Sequence, residues 1–406
     1  MKSVSYLVGV PLFFLTWMQN KHTYVGMKSD NIIIRELVGR IEARMFAGKA
    51  LILLGPRQAG KTTLIEHLLA QREEKILKLN ADEPDVRELL NKCTSTRLRS
   101  LLGANRVLFV DEAQRVPDIG LTLKLVTDQI PEVQVIATGS SALELNARTA
   151  EPLTGRKFEF MLYPLSFAEL AEHHGLLEEK RLLEHRLIYG AYPEIATSPG
   201  QEQELIKLLA GSYLYKDLLT LEQINKPVLL EKILRALALQ LGSEVSYHEI
   251  GQLVGADGQT VERYIDLLEK AFVLIRLPAL SRNVRNEIKK GKKIYFLDNG
   301  IRNAVIGNFT PLSGRTDTGA LWENYLVSER VKVLGNRDIQ ADHYFWRTTQ
   351  QQEVDYIEER QQRLYAFEFK WNTKKIAVRF PKTFLRNYEV QTMVVTPANY
   401  NEFLMA

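Results

Sequence analysis

Cysteine is nearly absent: the 406 residues hold one, Cys93. A single thiol closes no intramolecular disulfide, and with only 7 histidines a Cys/His zinc module is excluded too. Neither sign of charge is in marked excess. Lys and Arg number 53 against 49 Asp and Glu, a net charge of +4 that does not by itself point to a polyanion. Proline and glycine, at 14 and 24, gather into no flexible linker, and there is no internal repeat. A chain that is 45% hydrophobic and 25% charged is neither disordered, collagen-like nor a polytopic membrane protein. Long uncharged runs are also lacking, apart from Ser3 to Asn20 between Lys2 and Lys21. That run is barely of spanning length, holds Pro11, and no small-x-small cleavage site follows it. Residues 1–26 are therefore expected to be an extension outside the translated protein, with Met27 as its start and a membrane anchor as the lesser alternative. A reducing, cytoplasmic setting is expected.

What is present is an alternation of short apolar runs and amphipathic segments. The spacing of Ile34, Leu37, Val38, Ile41 and Met45 predicts a helix over 31–47. Residues 50–54, 76–80, 107–110 and 133–138 read as buried strands with helices between them, which means a parallel α/β sheet. From about Pro164 to Lys270 the pattern is almost all helical. Strands return at 293–297, 343–346, 354–357, 364–369 and 391–395, with a helix over 319–334.

Gly55-Pro56-Arg57-Gln58-Ala59-Gly60-Lys61-Thr62, followed by Thr63, satisfies G-x-x-x-x-G-K-[ST] without mismatch, between a buried strand and a helix. Glycines let the backbone curl so that its N–H groups meet phosphate oxygens, and the helix presents its amide-rich end. Lys61 is expected at the β- and γ-phosphates and Thr62 on magnesium. Val107 to Val110 runs into Asp111 and Glu112. Asp111 is the candidate for the magnesium shell, and Glu112 for polarising the attacking water. The next strand ends in Gly139-Ser140-Ser141; Thr138 and Ser140 are both candidate γ-phosphate sensors, with Ser140 favoured. ATP and Mg²⁺ are the expected cofactors.

These blocks, with IATGSSALEL, LTGRKFEFMLYPLSFAEL, YGAYPE, VSYHEIGQLVGADGQTVERYIDLLEKAFVL and KKIYFLDNGI, resemble in order and spacing the AAA+-type ATPases of bacteria and archaea that are fused to a carboxyl-terminal domain formerly of unknown function. The resemblance implies ATP binding and hydrolysis. It makes Arg156 a candidate arginine acting at a phosphate, in its own chain or across a subunit interface.

Ser246–Val254 and Gln259–Leu268 read as helix, glycine-containing turn, helix, with a strand from Phe272 to Leu277 behind them, a winged-helix pattern. On its second helix Arg263 is the one obvious basic residue, opposed by Glu262 and Asp266. Arg282, Arg285, Lys289, Lys290, Lys292 and Lys293 beyond it are candidates for gripping phosphates. Near the carboxyl end Glu323 falls on a helix, Asp355 on one strand of a hairpin, and Glu368 and Lys370 on one face of the other. Carboxylates converging with a lysine suit metal-assisted phosphodiester cleavage, with Asp355 and Glu368 as metal ligands. The set resembles a restriction-endonuclease-like core.

The expected fold class is α/β: a P-loop parallel-sheet domain over 27–163, a helical, winged-helix-like middle over 164–280, and an α+β restriction-endonuclease-like domain over 281–406. The expected function is ATP binding and hydrolysis on or with DNA. The alternative is a nucleotide-dependent switch with protein partners and an inert last domain. A homo-oligomer is an open option, and membrane attachment is not expected.

Overall fold

The computed structural model describes residues 32–140, 153–221, 226–280, 291–372 and 380–405. The expected extension (1–26), Ser141, and Arg282, Arg285, Lys289 and Lys290 lie outside the described residues.

Five parallel strands form the first sheet in the order β2-β3-β4-β1-β5: β1 (Ala50–Leu54), β2 (Ile76–Asn80), β3 (Val107–Asp111), β4 (Gln134–Gly139) and β5 (Lys157–Met161). β1, β3 and β4 are buried along their whole length. Strand alternation divides their side chains between two layers. Leu51, Leu53, Phe109 and Ile136 pack with α1 (Val38–Glu42) and α2 (Lys61–Ala70). Ile52, Leu54, Leu108, Val110 and Ala137 pack on the other face, where Leu98 of α4 (Ser95–Leu102) and Leu123 and Val126 of α5 (Ile119–Gln129) meet them. Between α2 and α4 in the chain is α3 (Pro84–Leu90). β5 is not among the four expected strands. It is an edge strand whose Lys157 and Glu159 interrupt the apolar pattern. α1 is also much shorter than expected, because Arg35 is committed to long-range bonds and Phe46 and Gly48 take left-handed conformations.

The middle is helical, as expected: α6 (Phe167–His174), α7 (Leu176–Arg181), α8 (Leu183–Tyr189), α9 (Pro193–Thr197), α10 (Glu202–Leu221), α11 (Pro227–Leu239), α12 (Tyr247–Val254) and α13 (Gly258–Lys270). Ser166 and Glu169 form a reciprocal capping box at the start of α6. Between α12 and α13 the chain turns tightly: Gly255 takes φ +78°, and a Cβ on Gly251 would stand 2.6 Å from the Ala256 carbonyl oxygen. β6 (Glu244–Val245), β7 (Leu274–Pro278) and β8 (Lys292–Phe296) make an antiparallel sheet in the order β6-β8-β7.

Then follow α14 (Asn299–Ile306), α15 (Thr318–Arg337) and a four-stranded sheet in the order β12-β11-β10-β9: β9 (Asp342–Arg347), β10 (Glu353–Arg360), β11 (Arg363–Phe369) and β12 (Val390–Val395). The β11–β12 pair is parallel and the others antiparallel. The expected hairpin turn is tight. Gln361 and Gln362, at φ 49° and 64°, join β10 to β11, as a type I′ connection requires. α16 (Lys382–Asn387) and α17 (Tyr400–Met405) complete the chain.

Strands on either side of the expected 280/281 boundary are paired with each other. β8 was expected in the last domain, yet it pairs with β6 and β7. One continuous apolar core runs from Phe167 through Leu234, Ile265 and Trp322 to Leu404. The YGAYPE turn shows how closely the parts meet. Gly190, at φ +78°, passes so near Asp298 that a Cβ would stand 2.0 Å from its carboxylate, which accepts the Ala191 N–H at 2.8 Å. Among the described residues no helix is long and apolar enough to cross a membrane.

Candidate nucleotide site and carboxyl-terminal charge cluster

β1, β3 and β4 end on one edge of the first sheet, with Leu54 in register with Gly139 and Val110 with Ala137. The phosphate-loop sequence leaves β1 there. A Cβ on Gly55 would stand 2.1 Å from the Leu162 carbonyl oxygen, so only glycine fits. Gln58 and Gly60 take left-handed conformations, and the turn they make delivers Lys61 as the first residue of α2. Lys61 is buried and its Nζ donates to the carbonyls of Gly55 and Pro56, each at 2.9 Å. The Thr62 hydroxyl donates to Asp111 Oδ2 at 2.8 Å, and the Thr138 hydroxyl donates to Asp111 Oδ1. The Glu112 N–H donates to Thr138 Oγ1 at 3.1 Å, so Thr138 joins both acids. Ser140 stands one step further out, where Gln114 Nε2 donates to its hydroxyl at 3.0 Å and to Glu112 Oε2 at 2.6 Å. Thr62 and Asp111 together offer hard oxygen donors of the kind magnesium takes.

Two residues that sequence reasoning passed over belong to this neighbourhood. Gln114 gives no motif signal. Arg35 reads as one polar position of a helix. Its Nη1 donates to the Ala59 carbonyl of the loop at 2.7 Å, its Nη2 to the Tyr163 carbonyl at 2.6 Å, and its Nε to Glu169 at 2.9 Å.

Arg156 is not at this edge. Its neighbour Lys157 is in register with Ala50, the first residue of β1, whereas the loop follows Leu54, about 13 Å along the strand. Its guanidinium donates to Asp128 at 2.7 Å. The expected role at its own chain's phosphates is corrected by this placement.

Residues 47–171 match the family model described as AAA domain. The phosphate-loop sequence and the five-stranded parallel sheet both lie within that match. Residues 180–312 and 318–404 match two domains of unknown function, DUF8612 and DUF4143. An uncharacterized protein of Mycobacterium tuberculosis is 26% identical over 345 residues, spanning 83% of this chain and 73% of its own. One of Haemophilus influenzae is 26% identical over 284 residues, spanning 63% and 69%. Among solved structures, a Walker-type ATPase of Pyrococcus abyssi aligns with TM-score 0.47 at 17% identity, over 70% of this chain and 99% of that one. The RuvB Holliday junction branch migration motor of Thermotoga maritima aligns with TM-score 0.28 at 19% identity, over 63% and 95%.

The second candidate set does come together in space. Glu323, on α15, accepts the Tyr295 hydroxyl at 2.6 Å and Lys293 Nζ at 2.9 Å. Lys293 also pairs with Glu353. Asp355, on β10, accepts the Phe369 N–H at 2.8 Å and Lys370 Nζ at 3.2 Å, and Lys370 meets Glu368 at 2.7 Å. Burial pushes the Glu368 carboxyl up to about 7, helped by the charge of Asp355. Glu323 is raised by burial too, against the pull of Lys293. Lys370 is half-buried, which would lower it, but Asp355 and Glu368 outweigh that and raise it.

The donor set does not fit a divalent cation as arranged. Among the described residues no three His, Cys, Asp or Glu groups are placed to hold a metal. The expected metal ligands Asp355 and Glu368 grip Lys370 instead, and Glu323 grips Lys293. Lys293 was expected among the phosphate-gripping basic residues, but it is buried at 1% exposure because its strand runs between two others. Lys292 pairs with Glu262 at 3.5 Å and Arg276 with Asp266 and Glu269, so the acids of α13 are neutralised by β7 and β8.

Proposed function

We propose that the chain binds and hydrolyses ATP at the loop of residues 55–63 and acts as an ATP-driven switch on or with DNA. The observation that carries the first part is the Thr62–Asp111–Thr138 chain of hydroxyls and carboxylate directly behind Lys61. In this reading the backbone N–H groups of Gly55, Arg57, Gln58, Ala59 and Gly60, with those of Lys61, Thr62 and Thr63, cradle the phosphates, while Pro56, which has no N–H, only shapes the turn. Lys61 exchanges its two carbonyl partners for β- and γ-phosphate oxygens. Thr62 and Asp111 hold Mg²⁺, which when bound supplies charge neutralisation at those oxygens. Glu112 orients and polarises water once it leaves Gln114, and Ser140, beside the same glutamine, senses the γ-phosphate. Arg156 serves only a neighbouring copy's nucleotide, since it stands at the opposite edge of its own sheet.

DNA is favoured over a protein partner by the order α12, turn, α13, β7, β8, which is that of a winged helix, and by the neutralised acids of α13, which leave Arg263 exposed. Cleavage by the last domain is not part of this reading, because its carboxylates are taken up by lysines.

The test is ATP turnover by the purified chain with and without Mg²⁺ and duplex DNA. Lys61→Ala removes ATP binding while the protein stays folded. Glu112→Gln still binds ATP and turns it over roughly 10²–10⁴-fold more slowly. Unchanged turnover in Lys61→Ala refutes the site, equal loss of binding in Glu112→Gln refutes the division of roles, and turnover indifferent to DNA removes the DNA part.

A further inference from the structure

The carboxylates of the carboxyl-terminal cluster are held by two lysines, and one of them, Lys293, comes from another sheet. We infer that Lys293 is a tethered cation, built into the cluster in the position a divalent metal would need, so that the site is closed to metal as long as β8 is seated.

Three observations carry this. The first is contact. The Lys293 ammonium bridges two carboxylates from different elements, Glu323 on α15 and Glu353 on β10. Tyr295, two residues on and so on the same face of β8, occupies Glu323 as well. The second is immobility. Lys293 sits on the central strand, in register with Glu244 on one side and Leu277 on the other, and its ammonium lies 5.6 Å from the ring centre of buried Phe345. β7 runs on toward the last sheet, where the Leu280 N–H donates to the Phe345 carbonyl at 2.7 Å. The two ladders fix the backbone from which the side chain departs, and its burial confines the side chain itself. The third is charge. Glu323, Glu353, Asp355 and Glu368 face Lys293 and Lys370, with Arg347 3.7 Å from Glu353. A divalent cation needs several carboxylate or carbonyl oxygens free at once. Here Glu323 and Glu353 are taken by Lys293, and Asp355 and Glu368 by Lys370. Removing Lys293 alone leaves Glu323 with the Tyr295 hydroxyl and Glu353 with Arg347, both beside Asp355 and short of one positive charge, and such a cluster gains a place for an ion.

The test is Mn²⁺ titration by calorimetry on the full chain without nucleotide. An Asp111→Asn background silences the nucleotide site. The chain with Lys293 intact binds no Mn²⁺ at the cluster. Lys293→Gln melts at a lower temperature, binds one Mn²⁺, and regains its melting temperature when Mn²⁺ is added. Adding Asp355→Asn to Lys293→Gln removes both the binding and the regain. Should Lys293→Gln fail to fold, Lys293→Gln/Glu353→Gln removes one charge of each sign and leaves Glu323, Asp355 and Glu368 for the ion, and it too binds one Mn²⁺. Two results overturn the inference: saturable Mn²⁺ binding by the Lys293-intact chain that Asp355→Asn abolishes, or a cooperatively folded Lys293-deleted variant that binds none.

Discussion

Arg35→Ala tests whether the phosphate loop is held from outside by a residue that belongs to no motif. The guanidinium is 6% exposed and the Glu169 side chain it meets is fully buried. Removing it deletes one charged pair and two bonds to backbone carbonyls, those of Ala59 and Tyr163. Breaking a buried pair from one side costs about 3–5 kcal/mol, because a buried charge is left behind. Glu169 keeps the N–H groups of Ser166 and Glu36, at 2.9 and 3.0 Å, so its charge is not orphaned and the lower end, about 3 kcal/mol, is expected. Denaturant unfolding reads this as a lower midpoint at unchanged slope. Glu169→Gln combined with Arg35→Ala costs less than the two separate losses added together, because the pair is one unit. The freed Ala59 carbonyl also loosens the loop, and ATP binding weakens about tenfold, some 1.4 kcal/mol. A loss below about 1 kcal/mol in Arg35→Ala, or strictly additive costs in the double variant, refutes the reasoning.

Gly190→Ala forces a side chain into a left-handed backbone and against the Asp298 carboxylate, so the loss exceeds the roughly 1–3 kcal/mol of backbone strain alone; thermal unfolding within about 1 °C of the parent would contradict it. His343 has its pKa lowered by burial, the nearby acids notwithstanding, and its Nδ1 meets the Tyr356 hydroxyl at 2.7 Å. The unfolded chain therefore binds this proton more readily than the folded one, and His343 costs stability as pH falls from its ordinary 6.5 toward its lowered folded value. His343→Gln flattens that part of the stability profile, measured by denaturant midpoints between pH 5 and 8; an unaltered slope contradicts it.

Local pattern carried much of this molecule into view. The octapeptide at 55–62 is a contiguous chemical motif, and its strand and helix are marked by apolar runs that local spacing reveals. The β10–β11 hairpin likewise follows from alternation, and with it the meeting of Asp355, Glu368 and Lys370. What stayed hidden was decided by partners far away in the chain. Arg35 reaches Glu169, 134 residues on, and nothing within a helical window announces that bond. Lys293 belongs to a basic stretch and so reads as solvent-facing, until its strand is found between two others. Arg156 follows a glycine in a motif-like segment, but its distance from the phosphate loop depends on which end of β1 its strand pairs with. β5 was missed for the opposite reason: charges on an edge strand blur the very alternation that defines it.

The core that joins Phe167 to Leu404 also bears on heredity. Modules that travel independently between genes meet through modest, mostly polar surfaces and keep separate cores. Here a crossover near residue 280 would hand one descendant β7 without β8 and the other β8 without β7, each with an opened apolar interior. A cut between β7 and β8 therefore opens the interior that the stretch from α6 to α17 shares.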